Sequence, residues 1–248
     1  MPSDDLIFGL HAIAAALRND SVRMLAVWVL QGRSDARVQE VLALAKQRGV
    51  AVHHAPRHTL DEMAPGARHQ GVIARCMGLP SYHEGDLEAL LDNVQGVPLL
   101  LVLDGVQDPH NLGACLRSAD AAGAHAVIIP KDRSSPLNAT ARKVASGAAE
   151  SVPVVQVTNL ARTLRELKDR NIWLVGAAGE TDKSIFETDL KGPLAVVMGA
   201  EGQGLRRLTK EHCDFLAYIP MAGVVESLNV SVATGICLFE AVRQRSVP

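Results

Sequence analysis

Side chains able to do chemistry collect at three corners of this 248-residue chain, each where an apolar run gives way to polar residues. The first corner runs from Asp104 to Arg117 and contains Asn111, Gly113 and Ala114. Its helical part keeps Leu112, Cys115, Leu116 and Ala119 on one stripe, so Arg117 faces elsewhere. Helical side chains lean toward the N-terminus, and the Arg117 guanidinium is expected to pass over Gly113 toward the strand-end loop. A plainer arrangement fits the same letters: Asn111 caps the helix and Arg117 is a solvated charge. The second corner is Val196-Val-Met-Gly-Ala-Glu-Gly-Gln-Gly204. Glycines at 199, 202 and 204 admit positive φ and close backbone approach to a ligand, with Glu201 among them. The spacing is neither GxGxxG nor a Walker loop, and a glycine turn with an exposed Glu201 is the alternative. The third corner is Tyr218-Ile-Pro-Met221 followed by Glu226-Ser-Leu-Asn-Val-Ser231. Ser227 and Asn229 either serve the helix start, as N-cap and first-turn residue, or face a bound molecule.

The elements that must position these corners alternate. Helical periodicity falls on 9–19, 33–48 and 59–63, and strands on 24–30, 50–53 and 71–76, which makes a small α/β domain over residues 1–77. Gly78-Leu-Pro-Ser81 breaks regular structure, and 86–94 is an acidic helical segment, so 78–97 is expected to be a linker. From residue 98 to 248 strands and helices alternate. Strands are expected at 99–103, 125–129, 152–157, 172–175, 194–198 and 216–219, and helices at 111–122, 138–149, 160–168, 205–212 and 228–243. Continuous apolar strands such as Leu99–Leu103 suit a parallel sheet covered on both faces. In such a sheet ligands lie at the C-terminal ends of the strands. The last helix is apolar nearly all round, with Ser231, Ala233, Thr234 and Gly235 supplying small surfaces. It needs cover beyond its sheet-facing side, and a homodimer through this helix is expected.

Apolar residues make up 48% of the chain, enough for a substantial core. Aromatics are 3%, which argues against a broad stacking surface, and the net charge of −2 carries no global signal for nucleic acid. The charge is unevenly spread. Residues 1–80 hold 9 basic against 7 acidic side chains, 81–97 hold none against 4, and 98–248 hold 16 against 16. Cys76, Cys115, Cys213 and Cys237 are scattered in apolar or helical contexts and read as buried thiols, without metal spacing. No leader-like segment and no uncharged apolar run long enough for a membrane span is present, so a cytoplasmic protein is expected.

Taken together, Asn111-Leu-Gly-Ala-Cys-Leu-Arg117, Gly199-Ala-Glu-Gly-Gln-Gly204, and Ile219-Pro-Met with Ser227-Leu-Asn-Val-Ser231 resemble the three motifs of the SpoU/TrmH family of RNA ribose 2'-O-methyltransferases, in the SPOUT superfamily. The likeness runs through the chain, in Phe8-Gly-Leu-His-Ala-Ile13, His69-Gln-Gly71, Pro130–Arg133 and Glu150-Ser-Val-Pro153. Within the family it points to the enzymes of 23S rRNA. The resemblance implies an N-terminal domain similar to ribosomal protein L30e that helps select the RNA. It also implies a C-terminal domain closed by a deep trefoil knot, a rare exception to unknotted topology. S-adenosylmethionine would sit in the knot against Gly199, Ile219 and Leu228, with Gly202 and Met221 in the same loops. Asn111, Arg117, Glu201, Ser227 and Asn229 would be the catalytic set. The substrate would be a guanosine ribose in the peptidyl-transferase region of 23S rRNA.

The sulfonium of that cofactor is already activated, so the protein need only align a ribose hydroxyl and ease loss of its proton. Deprotonating an arginine at pH 7 costs roughly 7 kcal/mol, so Arg117 suits an electrostatic clamp on phosphate and developing oxyanion better than a general base. Phosphate contacts need local cations rather than a global excess; Arg57, Arg68, Arg133, Arg142 and Lys143 are the candidates. A tRNA ribose methyltransferase of the same family and a non-enzymatic RNA-binding protein on this fold are the alternatives. A nicotinamide-dependent oxidoreductase lacks its glycine fingerprint here.

Overall fold

The computed structural model describes residues 4–19, 22–67, 69–77 and 82–246. Its first part is β1 (Asp4–Phe8), α1 (Leu10–Arg18), β2 (Arg23–Leu30), α2 (Ala36–Gln47), β3 (Ala51–Ala55), α3 (Arg57–Met63) and β4 (Val72–Met77). These strands form a sheet in the order β1-β4-β2-β3. Only β2 and β3 are parallel; β4 runs antiparallel to β1 and β2. Strand periodicity puts Val27 and Val29 into one core with Ile13 and Leu17 of α1 and Val38 and Val41 of α2. Trp28 and Leu30, on the opposite face, pack with Leu60 of α3. The sequence gives little sign of β1, which opens on two aspartates; pairing with β4 defines it.

The second part is β5 (Tyr82–His83), α4 (Glu84–Asp92), β6 (Leu99–Asp104), α5 (Pro109–Ala121), β7 (Ala126–Pro130), α6 (Ala139–Ala145), α7 (Ala148–Ser151), β8 (Val154–Val157), α8 (Leu160–Asp169), β9 (Trp173–Ala177), β10 (Leu194–Gly199), α9 (Arg207–His212), β11 (Phe215–Ala217) and α10 (Val230–Ser246). The sheet order is β11-β9-β10-β6-β7-β8-β5, parallel at every pairing. All of β6 is buried. Leu101 and Leu103 face α5 and α10, while Leu100 and Val102 face α8. That two-sided cover is what the unbroken apolar strands require.

Two expected elements differ. Of the linker expected over 78–97, residues 78–81 lie outside the described residues, and the remainder is not a free connector. Tyr82–His83 pairs with β8 as the outermost strand, and Leu87 of α4 is buried in the core of the α8 side. Glu84 accepts hydrogen bonds from the Thr158 backbone (3.1 Å) and from Arg162 Nη2 (2.6 Å); Thr158 and Arg162 hold its carboxyl below the usual glutamate range. The helix expected over 138–149 breaks in two, because Ser146 and Gly147 take left-handed φ values of 55° and 104°. A Cβ on Gly147 would lie 2.9 Å from Ala15 Cβ and 3.1 Å from the His11 carbonyl. The break therefore lets α1 of the N-terminal domain dock against the start of α7.

The same junction buries Glu150. Its backbone carbonyl accepts from Asn19 Nδ2, and its carboxylate pairs with Arg142 Nη1 at 3.0 Å. Oε2 has no partner among the described residues. Burial pushes this carboxyl up to about 6, against the opposing pull of Arg142. The folded protein thus holds the Glu150 proton more tightly than the unfolded chain, so this group favours folding most in acid. Its contribution, about 2 kcal/mol, is lost as pH rises from roughly 4.3 to 6. Urea midpoints measured across that window should fall more steeply for the wild type than for Glu150→Gln; parallel profiles would count against this assignment.

Candidate active site

The C-terminal ends of β6 and β10 meet the start of α10 near the middle of the sheet. Asp104 closes β6 and sits in register with Gly199, the last residue of β10. The chain leaves β6 through Gly105–Asp108 and enters α5. Asp108, not Asn111, caps that helix: its Oδ1 accepts from the His110 backbone at 2.9 Å, with Pro109 at the first helical position. The alternative reading of Asn111 as a cap is thereby overturned, and its side chain is free for other use.

Beyond Gly199 the chain folds into a tight hairpin, with Ala200 and Gly204 exchanging backbone hydrogen bonds of 3.2 and 2.9 Å. A Cβ on Gly199 would stand 2.1 Å from the Gly204 carbonyl carbon and 2.3 Å from the Leu205 nitrogen. The absent side chain at 199 is thus demanded by the protein's own backbone, a stronger requirement than room for a ligand. Gly202 turns the hairpin tip at φ 73° with open space around it. At the hairpin's foot the Asp104 carboxylate, fully buried, accepts from the Arg206 backbone (3.1 Å) and from Arg206 Nε (2.5 Å). Sequence reading missed this clasp. An aspartate ending an apolar strand was visible, but not its partner 102 residues away.

Glu201 at the hairpin tip reaches the start of α10. Its Oε1 accepts from Asn229 Nδ2 at 2.5 Å and faces the Val230 backbone N–H at 3.4 Å, where a helix N-terminus favours negative charge. Asn229 Nδ2 also donates to Asn111 Oδ1 at 2.9 Å. Asn229 Oδ1 accepts from the Ser231 backbone at 2.9 Å and from Ser231 Oγ at 2.6 Å. Asn229, rather than Ser227, therefore caps α10. The cap fixes which end of its amide is nitrogen, and that in turn orients Asn111. Both protons of Asn229 Nδ2 are used. Asn111 Nδ2 and Glu201 Oε2 are left as a donor and an acceptor without partners among the described residues. That pair suits a hydroxyl group, which both donates and accepts. A cavity of about 300 Å³ opens beside them, lined also by Asp104, Arg133 and Arg206.

Arg117 does not join the cluster within one chain. It is exposed and makes no hydrogen bond or ion pair among the described residues. It lies six residues past Asn111, about 9 Å along the helix, and the space over Gly113 is filled by α6, whose Ala141 carbonyl would be 2.5 Å from an added Cβ. Ser227 is likewise exposed and unpaired among the described residues. Ile219, Met221 and Leu228 are half-buried, and Ile219 and Leu228 pack against the core that holds Met198 and Val230. Their backbone groups make no hydrogen bonds among the described residues. Backbone donors and acceptors without protein partners are met by water or by a ligand. Of the cations suggested for phosphate, Arg133 lines the cavity and Lys143 is exposed. Arg142 is committed to Glu150 instead, and Arg68 lies outside the described residues.

Residues 98–239 match the model of the SpoU rRNA methylase family. The chain belongs to that family. Residues 6–81 match a second model, described as RNA 2'-O ribose methyltransferase substrate binding. Among SpoU relatives, a protein of Pectobacterium atrosepticum named 23S rRNA (guanosine-2'-O-)-methyltransferase RlmB is 59% identical over 241 residues, covering 97% of this chain and 98% of its own. The protein of the same name from Escherichia coli K12 is 59% identical over 242 residues, covering 98% and 99%. Among solved structures, the SpoU methyltransferase AviRb from Streptomyces viridochromogenes, in complex with the cofactor AdoMet, superposes with a TM-score of 0.80 at 25% identity, covering 98% of this chain and 90% of its own. The SpoU matches cover both sheets described above, and the three corners all fall within the methylase segment. No helix among the described residues is long and apolar enough to cross a membrane.

Proposed function

We propose that this SpoU-family protein methylates the ribose 2'-hydroxyl of a guanosine in the peptidyl-transferase region of 23S rRNA, with S-adenosylmethionine as donor. The observation that carries the reading is the Asn111–Asn229–Glu201 cluster, which joins three distant motifs at one cavity. When bound, the cofactor supplies an electrophilic methyl group. The free backbone groups of Ile219, Met221 and Leu228 suit the edge of an adenine, and the hairpin 199–204 bounds the same region. Asn111 Nδ2 donates to the ribose hydroxyl and Glu201 Oε2 accepts from it. Arg117 draws the neighbouring phosphate and stabilises the oxygen as its proton passes to water; Arg117→Lys with near-normal rate and a shifted pH optimum would favour a base instead. Ser227 contacts the substrate from the loop before α10. The family's trefoil knot is part of this reading, supported by the return of residues 218–229 from the sheet edge to meet Glu201 and Asn111 near its centre. So is a division into an RNA-selecting domain over 1–77 and a catalytic domain over 98–248, acting in the cytoplasm. The test is methyl transfer from labelled cofactor to protein-free 23S rRNA, followed by mapping of the modified ribose; label on tRNA alone, or none, would sink it.

We further infer that the active protein is a homodimer through α10. Val232 and Phe239 remain 52% and 47% exposed, and with Gly235 and Ile236 they form the outward arc of that helix. Gly235 lies beside Ser118 of α5, so the arc continues toward Arg117. Pairing through it would deliver Arg117 to the partner's cluster. Co-expressed Arg117→Ala and Asn229→Ala chains should then regain about a quarter of wild-type activity, because half the dimers are mixed and each has one intact site. Phe239→Glu should sediment as a monomer. A stable wild-type monomer at micromolar concentration would remove this claim.

A further inference from the structure

A second cleft lies in the N-terminal domain, away from the methylase motifs. It has a volume of about 650 Å³ and opens between the end of β2, α3 and the turn before β4. Its floor is held by an unusual set of contacts. His69 is 5% exposed. Its Nδ1 accepts from the Gly71 backbone at 3.0 Å, so Nε2 carries the proton and donates to Asp61 Oδ1 at 2.8 Å. Arg33 donates through Nη1 to the Gln70 carbonyl and through Nε to Asp35 at 2.6 Å. Between these anchors Gln70 and Gly71 both take left-handed conformations, φ 51° and 71°. A Cβ on Gly71 would press on Arg33 Nη1 at 3.0 Å and Leu30 Cβ at 3.2 Å, and its positive φ favours glycine in any case. Gln70 is not glycine, yet it is held in a region that costs about 1 kcal/mol or more.

The result is a glutamine with a fixed backbone and an exposed side chain, its Oε1 beside Gly9, at the edge of a cleft lined by Arg33, Arg57 and Asp61. Arg57 lines the same cleft with a 79% exposed side chain, its Nε 3.8 Å from Asp61 Oδ2 in a long, exposed pair. Asp61 itself is tied to His69. The polar groups most open to a ligand are therefore the weakly held Arg57 guanidinium and the Gln70 amide. A guanidinium holds phosphate, and a glutamine amide pairs with a base edge that offers a donor beside an acceptor, adenine first among them. Single-stranded RNA presents such edges and duplex RNA hides them.

We propose that this cleft binds one unpaired nucleotide of the RNA substrate, with Gln70 reading the base and Arg57 holding its phosphate. The proposal rests on the reading of the protein as an RNA methyltransferase. It is tested with full-length protein on protein-free 23S rRNA. Gln70→Gly removes the amide where glycine suits the backbone, so the fold is retained. It should raise KM for RNA about tenfold, leave kcat at saturating RNA and affinity for S-adenosylmethionine unchanged, and expose one base that the wild type protects in a chemical footprint. Arg57→Ala should also raise KM and reduce the slope of log affinity against log salt by about 0.7, without exposing that base. Wild-type protein that transfers no methyl group would overturn the underlying function. Wild-type transfer with unchanged KM and footprint in both variants would overturn the cleft alone.

Discussion

Asn229→Ala lowers the single-turnover rate of methyl transfer by about 10²–10³-fold, the scale seen when a preorganised donor is removed from a reaction centre. The expectation follows from how much one side chain does. Its nitrogen bridges Asn111 and Glu201 at 2.9 and 2.5 Å, and its oxygen caps α10. Without it Asn111 is free to rotate, and Glu201 keeps only the long contact to the Val230 backbone. Loss of the cap alone costs about 1 kcal/mol of stability, too little to unfold the chain, so the rate loss should appear in folded protein. Asn229→Asp separates the two roles. It can still cap the helix, but it removes both donors and places a second carboxylate against Glu201. It should be as slow as the alanine variant while melting closer to the wild type. A near-normal rate in either variant would remove Asn229 from the site.

Gly199→Ala should be the most destabilising single methyl group added to this protein. Its neighbours at 2.1–2.3 Å are backbone atoms of Gly204 and Leu205, which cannot swing aside as a flexible side chain would. Overpacking of this kind costs about 3 kcal/mol or more, equivalent to a Tm lowered by roughly 6–12 °C for a chain of this size. Binding of S-adenosylmethionine should fall with it, because the hairpin that bounds the proposed pocket must open. Gly202→Ala is the control. It sits in open space, and only its φ of 73° resists a side chain, a cost of about 1 kcal/mol. Equal melting temperatures for the two variants would contradict the role given to residue 199.

Much of this arrangement was legible in the letters, and the misses have physical causes. Apolar runs such as Leu99–Leu103 and Leu194–Met198 announced buried parallel strands because side chains on both faces must be apolar. Asn111, Glu201 and Asn229 could be grouped only by likeness to a family, since nothing local ties residues 118 positions apart. Capping was misjudged at two corners. Asn111 and Ser227 had been offered as caps, but Asp108 and Asn229, the residues just before the first helical turn, take that place, each accepting from the backbone two residues on. Arg117 was expected over Gly113 because glycine suggested space; in the fold that space belongs to α6. Residues 82–92 looked like a connector because the strand within them is two residues long, and only its docking on β8 makes it one.

That edge strand has a consequence for how the enzyme measures its target. A slack tether would let the N-terminal half, proposed above to select the RNA, roam and accept landmarks at any distance from the modified sugar. Here Tyr82–His83 is stitched into the catalytic sheet, Glu84 is clasped by Thr158 and Arg162, and α1 rests on Gly147. On the function proposed above, the two halves would act as the jaws of a calliper set at one opening, and the spacing between landmark and sugar would be dictated by protein geometry.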